Sequence, residues 1–129
     1  MPISYYERDK EEINSAKAFR RLKKKISIEN LWIYILRLLQ KNEMYGYELR
    51  NSIKKEFGFE PATVTSYTIL YKLEKDELVS SYMKDNPEGR PDRKYYKITE
   101  KGSKMMQHAK ELLEEILEKV FDLTDTLND

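Results

Sequence analysis

Apolar residues return every three or four positions along most of this 129-residue chain, and the stripes they trace predict its helices. The most regular stripe joins Ile28, Leu31, Trp32, Ile35, Leu36 and Leu39, one face of a helix over 28–41. Ser27 is placed to cap it, Glu29 suits the positive end of the helix dipole, and Asn42 and Glu43 break the pattern. Upstream, Ile13, Ala16, Phe19, Leu22 and Ile26 predict a helix over about 8–25. Downstream, Leu49, Ile53 and Phe57 turn inward on a helix over about 45–57, with Gly58 as its natural stop. Pro61 and Thr63 open a further helix that ends near Glu74. Thr99 caps a final helix through about Leu127, with apolar positions at Met105, Ala109, Leu112, Ile116, Val120, Leu123 and Leu127. Leu113, Leu117 and Phe121 widen that last stripe beyond what one small domain needs to cover.

Between the last two helices the period changes. Two strand-like runs, Leu78–Met83 and Arg93–Ile98, flank a loop with Asn86, Pro87, Gly89 and Pro91, residues that cannot continue a ladder but do make turns. The tip and return strand carry Arg90, Arg93, Lys94 and Lys97, interleaved with Tyr95 and Tyr96. Strand alternation sends one tyrosine onto the helices and the other to the outer face of the hairpin. Helix, basic hairpin, helix is the layout of a winged-helix nucleic-acid binder, although strand edges are also charged simply to prevent aggregation. On the helix before the hairpin, Ser66, Leu70 and Leu73 share one side with Tyr67 at the flank. Thr63 and Thr65 lie at its start, and Thr65, Thr68, Lys72 and Lys75 gather on the opposite side. Small hydroxyls there would let the helix approach base edges, with lysines reaching phosphates. An amphipathic helix with a merely soluble outer face is the bland alternative, and the adjoining basic hairpin weighs against it.

Composition narrows the class. The chain is 40% hydrophobic and 36% charged, enough for a modest core in one domain. Cysteine is absent, which removes disulfides and thiolate metal sites; no run nears the roughly 18 apolar residues of a membrane span, and no signal peptide is visible. A cytoplasmic, nucleoid-associated protein is the expectation. The one histidine, His108, has no ligand motif around it, the four glycines form no phosphate loop, and Glu114 and Glu115 look like a solvated helix face. Neither a metal, a cofactor nor an enzyme is expected. Charge is graded: residues 1–27 carry eight Lys/Arg against four acids, residues 28–98 twelve against eleven, and residues 99–129 four against eight. Nucleic acid would meet the basic head and centre. Within the head, Arg20, Arg21, Lys23, Lys24 and Lys25 either complement a helix C-terminus or form a basic arm for phosphates; five cations in six residues exceed what capping requires. Trp32 is expected in the core, the other reading being the floor of a ligand cavity at a dimer seam.

Tyr45-Gly46-Tyr47-Glu48-Leu49, Tyr67 within Thr65–Leu70, Lys72-Leu73-Glu74, Gly89-Arg90-Pro91 and the run Lys94–Gly102 together resemble the PadR family of transcriptional regulators, over roughly residues 28–125. The resemblance implies a dimeric winged-helix repressor or activator whose C-terminal helix dimerises, many members answering to aromatic or amphipathic small molecules. Two positions depart from the family pattern: Tyr67-Thr68 stands where Tyr-Pro is usual, and Val64 where Gly is usual. The family's DNA preference therefore does not carry over, and the extension before residue 27 lies outside the common core. Carried onto this chain, the resemblance places Tyr45 and Gly46 at a helix N-terminus suited to a phosphate, and Tyr67 where its hydroxyl can donate to the DNA backbone. It also places Arg90, Arg93 and Lys94 along the backbone or in the minor groove.

The expectation is an α+β, mostly α, winged helix-turn-helix with a hairpin wing. It comprises a basic helical extension (1–27), a DNA-binding domain (28–98) and a dimerisation helix (99–129) through Leu112, Leu113, Ile116, Leu117, Val120 and Phe121. The expected function is sequence-specific regulation of transcription, with repression favoured, by a homodimer on palindromic double-stranded sites, responsive to a small aromatic effector. The competing functions are a non-specific architectural DNA coat and a winged-helix module for protein partners.

Overall fold

The computed structural model describes residues 5–86 and 88–122 and divides the chain into two compact units, 1–31 and 32–129.

In the first unit the single predicted helix is two, α1 (Tyr5–Ser15) and α2 (Lys17–Lys25). Ser15 Oγ donates back to the Glu12 carbonyl at 2.9 Å, and Ala16 is extended (φ −64, ψ 133) as it starts α2. Asn14 and Ser15 are residues whose side chains compete for backbone bonds, which weakens a helix at that point. Ser27 does not cap the following helix either. Its hydroxyl donates to the Lys23 carbonyl at 2.5 Å, closing α2, and Ile28–Asn30 form one 3₁₀ turn.

Helix α3 (Leu31–Lys41) buries Ile35, Leu36, Leu38 and Leu39; Leu38 lies off the predicted stripe, while Trp32 is half-buried rather than core. A two-residue strand β1 (Met44–Tyr45), absent from the sequence reading, leads into α4 (Gly46–Phe57). Gly58 ends α4 as expected, at φ 78, its N–H donating to the Lys54 carbonyl at 3.1 Å. Helix α5 (Thr63–Lys75) follows buried Pro61 and takes Ala62, in extended conformation, as its N-cap. It stops where Glu77 turns left-handed (φ 63), with the Leu78 N–H returning to the Leu73 carbonyl at 2.9 Å.

Strands β2 (Val79–Lys84) and β3 (Arg93–Ile98) form the hairpin, and β1 adds to its other side, giving the antiparallel order β1-β3-β2. Register runs from Val79 opposite Ile98 to Lys84 opposite Arg93, and sets Tyr45 and Tyr82 on either side of Tyr95. The core gathers Ile35, Leu36, Leu49, Ile53, Leu70, Leu73, Leu78, Val79 and Tyr96 between α3, α4, α5 and the sheet. Helix α6 (Glu100–Phe121) starts at a tight junction. Thr99 Oγ1 accepts from the Gly102 N–H at 3.0 Å and donates to the Glu77 carbonyl at 2.6 Å, while Thr99 N–H donates to the Leu78 carbonyl at 3.1 Å. Gly102 is buried against that carbonyl. The expected apolar positions Leu123 and Leu127 lie outside the described residues.

Candidate nucleic-acid interface

Helix α5 buries Ser66, Leu70 and Leu73 and turns its remaining surface to solvent. Of the four residues expected on that surface, Thr68, Lys72 and Lys75 are exposed, whereas Thr65 is half-buried, as is neighbouring Ile69. The most exposed apolar side chains there are two without an expected role, Val64 (79% exposed) and Tyr71 (69%). Both were visible as apolar residues off the buried stripe. Thr68 Oγ1 donates to the Val64 carbonyl at 2.8 Å, so Thr68 offers outward a methyl group and an acceptor lone pair. Thr63, the first residue of the helix, is exposed.

Tyr67 sits at the flank, 46% exposed, with its ring end lying over Gly46. A Cβ built on Gly46 would fall 2.6 Å from Tyr67 Cε1 and 2.8 Å from its Oη, so glycine is what admits this ring. The start of α4 and the flank of α5 are thereby locked together. Tyr45, just before Gly46, has its own N–H paired with Glu48 Oε1 at 3.4 Å. That carboxylate already answers the positive end of α4, a role the sequence reading left to a phosphate. The Tyr45 ring instead lies under the Arg93 guanidinium at 4.5 Å and edge-on to Tyr95 at 5.4 Å.

The hairpin leans on the last turns of α5. Glu74 accepts from Ser81 Oγ at 3.0 Å and pairs with Lys94 Nζ at 3.6 Å, so Lys94 neutralises an acid beside the outward face rather than standing free at a wing tip. Tyr96 is the buried tyrosine, its phenol pushed up by burial, with Glu74 and Tyr67 adding. Tyr95 covers the outer face, stacked on Tyr82 at 5.8 Å with Lys84 Nζ 5.0 Å above its ring. Tyr82 donates to Glu43, and that bond raises the phenol's pKa. Arg90 is exposed at the tip, with Glu88 at 3.8 Å. Arg93 and Lys84 are therefore held over tyrosine rings, whereas Arg90 at the tip has only Glu88 beside it and Lys97 is exposed on β3; Lys84 is a wing cation that the sequence does not single out.

In the first unit Arg20, Arg21, Lys23, Lys24 and Lys25 are all exposed on α2. Lys25 pairs with Glu29 at 3.1 Å and Lys23 lies 5.9 Å over the Phe19 ring, so the five do not form one surface. Arg20, Arg21 and Lys24 do, together with Lys17.

On α6 the expected dimerisation residues are all bare: Leu112 58%, Leu113 43%, Ile116 43%, Leu117 43%, Val120 67% and Phe121 59% exposed. None is buried, because α6 leaves the core after its first turns. Leu113 and Leu117 instead edge an open groove of about 360 Å³ with Tyr34, Phe57 and Met106. Trp32 lines a separate groove with Leu73, Leu78 and Met105. Among the described residues no cluster of His, Cys, Asp or Glu is arranged to hold a metal, and no helix is long and apolar enough to cross a membrane. His108 is exposed, 3.9 Å from Glu111.

Comparison with known proteins agrees with this architecture. A PadR-like transcription factor from Bacteroides fragilis superposes with a TM-score of 0.67 at 28% identity, covering 80% of this chain and 98% of its own. PadR of Bacillus subtilis, solved in complex with operator DNA, superposes with a TM-score of 0.56 at 25% identity, over 60% of this chain and 45% of its own. An uncharacterized protein of Lysinibacillus sphaericus is 37% identical over 70 residues, which is 53% of this chain and 63% of that relative's length. Residues 35–108, more than half the chain and running from the middle of α3 into α6, match the PadR-like family. With the winged-helix order of elements and the motifs on α4, α5 and β3 in place, the chain belongs to the PadR-like family of transcriptional regulators.

Proposed function

We propose that this protein is a homodimeric, sequence-specific DNA-binding regulator that represses transcription at palindromic sites. The observation that carries the reading is the exposed outer face of α5, with Val64, Thr68, Tyr71 and Lys72 directed away from the core beside a wing carrying Arg90 and Arg93. A helix of this kind enters the major groove, where threonine and valine methyls suit the thymine methyl and lysine reaches guanine or phosphate. Thr63, Thr65 and Tyr67 contribute at its N-terminal end and flank, and Tyr45 acts through Arg93. The wing cations follow the phosphate backbone or a narrow minor groove. Similarity to a protein solved on operator DNA supports the same direction.

The dimer is formed by α6. Six bare apolar side chains over three turns are a surface that water disfavours, each leucine-sized group contributing about 1.5–3 kcal/mol when covered. A symmetric contact through them sets two α5 helices on one duplex, which matches a palindrome. Tyr34 and Phe57 in the adjoining groove give a small aromatic effector an apolar seat at that seam.

A labelled duplex from the protein's own upstream region, titrated against unlabelled specific and random competitors, tests the function. Preferential displacement by the specific competitor is expected. Equal displacement by both would replace the proposal with an architectural DNA coat. No binding would replace it with a protein-interaction module.

A further inference from the structure

The extension that precedes the family core carries its own charged device. Helix α2 holds six cations and no acid, whereas the four acids of residues 1–27 all lie on α1. Lys17, Arg20, Arg21 and Lys24 follow the spacing i, i+3, i+4, i+7 and so share one face, with Phe19, Leu22 and Ile26 on the other. All four are exposed and none makes an ion pair with a described residue. Lysines 23–25 complement the dipole at the helix C-terminus. That role cannot explain Lys17 and Arg20, which stand at the N-terminal end, where a cation opposes the dipole. Holding them in line with Arg21 and Lys24 costs helix stability and leaves a like-charged stripe that wants an anionic partner.

We propose that this stripe of α2 is a second DNA-binding element, gripping backbone phosphates of the same duplex that the winged helix occupies. The inference rests on the DNA-binding reading above. From Lys17 to Lys24 the helix rises about 10 Å. One DNA strand places a phosphate about every 3.4 Å of axis, so the stripe spans about three successive phosphates. Arginine forks and lysine ammonium groups are the side chains that take phosphate oxygens. A phosphate grip carries no sequence information, so its contribution is uniform across sequences and steeply salt-dependent.

The test uses the full-length chain and the slope of log K against log salt concentration, measured on the upstream duplex and on a random duplex of equal length. The quadruple variant Lys17→Gln, Arg20→Gln, Arg21→Gln, Lys24→Gln keeps good helix formers at exposed sites. Its slope should be shallower by about 0.9 for each phosphate released, up to about 2.7 for three, on both duplexes. The pair Arg21→Gln, Lys24→Gln should lower the slope, while Lys23→Gln, Lys25→Gln, with the same change in charge, should leave it unaltered. Equal effects of the two pairs would reduce the stripe to net charge and overturn the proposal. An unchanged slope in the quadruple variant, while Arg90→Ala, Arg93→Ala lowers it, would show that DNA is bound by the wing alone. If the unmutated protein binds neither duplex, the DNA reading itself fails. Binding of the unmutated protein, but not the quadruple variant, to vesicles with 30% anionic lipid, with the DNA slope unchanged, would assign the stripe to a lipid surface instead.

Discussion

Gly46→Ala separates the reading surface from the stability of the fold, because the new methyl collides with a side chain rather than with backbone. Its Cβ would stand 2.6 Å from Tyr67 Cε1, 2.9 Å from Cζ and 2.8 Å from Oη. Carbon atoms settle at about 3.5–4.0 Å, so the end of the ring must move by about 1 Å. Tyr67 is 46% exposed, and the ring has solvent to swing into. Folding stability should therefore stay level or rise by about 0.4–1 kcal/mol, since glycine also costs unfolded-state entropy and the left-handed glycines lie elsewhere, at Gly58 and Gly89. DNA binding should not stay level. If the Tyr67 hydroxyl donates to a phosphate, a 1 Å displacement forfeits a bond to a charged group worth about 1.5–3 kcal/mol. That is a loss of affinity of about 10- to 150-fold, on random and specific duplexes alike. Fluorescence anisotropy with a labelled duplex reads the affinity and urea melts read the stability, for Gly46→Ala, Tyr67→Phe and the double variant. The double variant should bind no worse than Tyr67→Phe alone, because both changes remove the same bond. Additive losses, or a stability loss above about 2 kcal/mol, would refute the reasoning by showing that the ring cannot move or that its hydroxyl is not the group lost.

Gly102→Ala should destabilise the fold by about 1–3 kcal/mol or more, because its Cβ would meet the Leu78 backbone oxygen at 2.2 Å and Ile98 Cγ1 at 2.8 Å; an unchanged urea midpoint would refute this. Replacing Arg90, Arg93 and Lys94 by Ala should weaken binding to every sequence and flatten its salt dependence, with Lys94 contributing least because it is paired with Glu74; an unaltered slope would mean that the wing touches no phosphate. Val64→Ala, Thr68→Ala and Tyr71→Ala should each shift base preference by about 1–3 kcal/mol at one position, more than half-buried Thr65→Ala does; an identical selected motif for all four would show that α5 is not the reader. Sedimentation at micromolar concentration should show a dimer for the unmutated protein and a monomer for Leu113→Lys with Leu117→Lys; a monomeric unmutated protein would refute the dimer, and a dimeric variant would remove α6 from the interface.

The features legible in the sequence are those that a short stretch of chain decides by itself. The stripe of Ile35, Leu36 and Leu39, the stop at Gly58, the Thr99 cap and a hairpin that turns one of two adjacent tyrosines inward all follow from local backbone chemistry and from the periods of helix and strand; that the inward one is Tyr96 came from the packing. The break at Ala16 was local too, but its signal, Asn14-Ser15, is weak against a persisting apolar stripe. Other features needed the assembled chain. Strand β1 has two residues, too few to show alternation, and exists only because β3 offers Tyr95 and Tyr96 as partners. Lys94 reads as a wing cation until the hairpin's lean brings Glu74 to it, and Tyr45 reads as a phosphate site until Glu48 and Arg93 fill its surroundings. The exposed Val64 and Tyr71, and the bare far turns of α6, belong to the same class. A periodic pattern reports which side of an element is apolar, but what covers that side is decided by distant residues packed there in space, and along α6 from Leu112 to Phe121 no residue of its own described chain buries it.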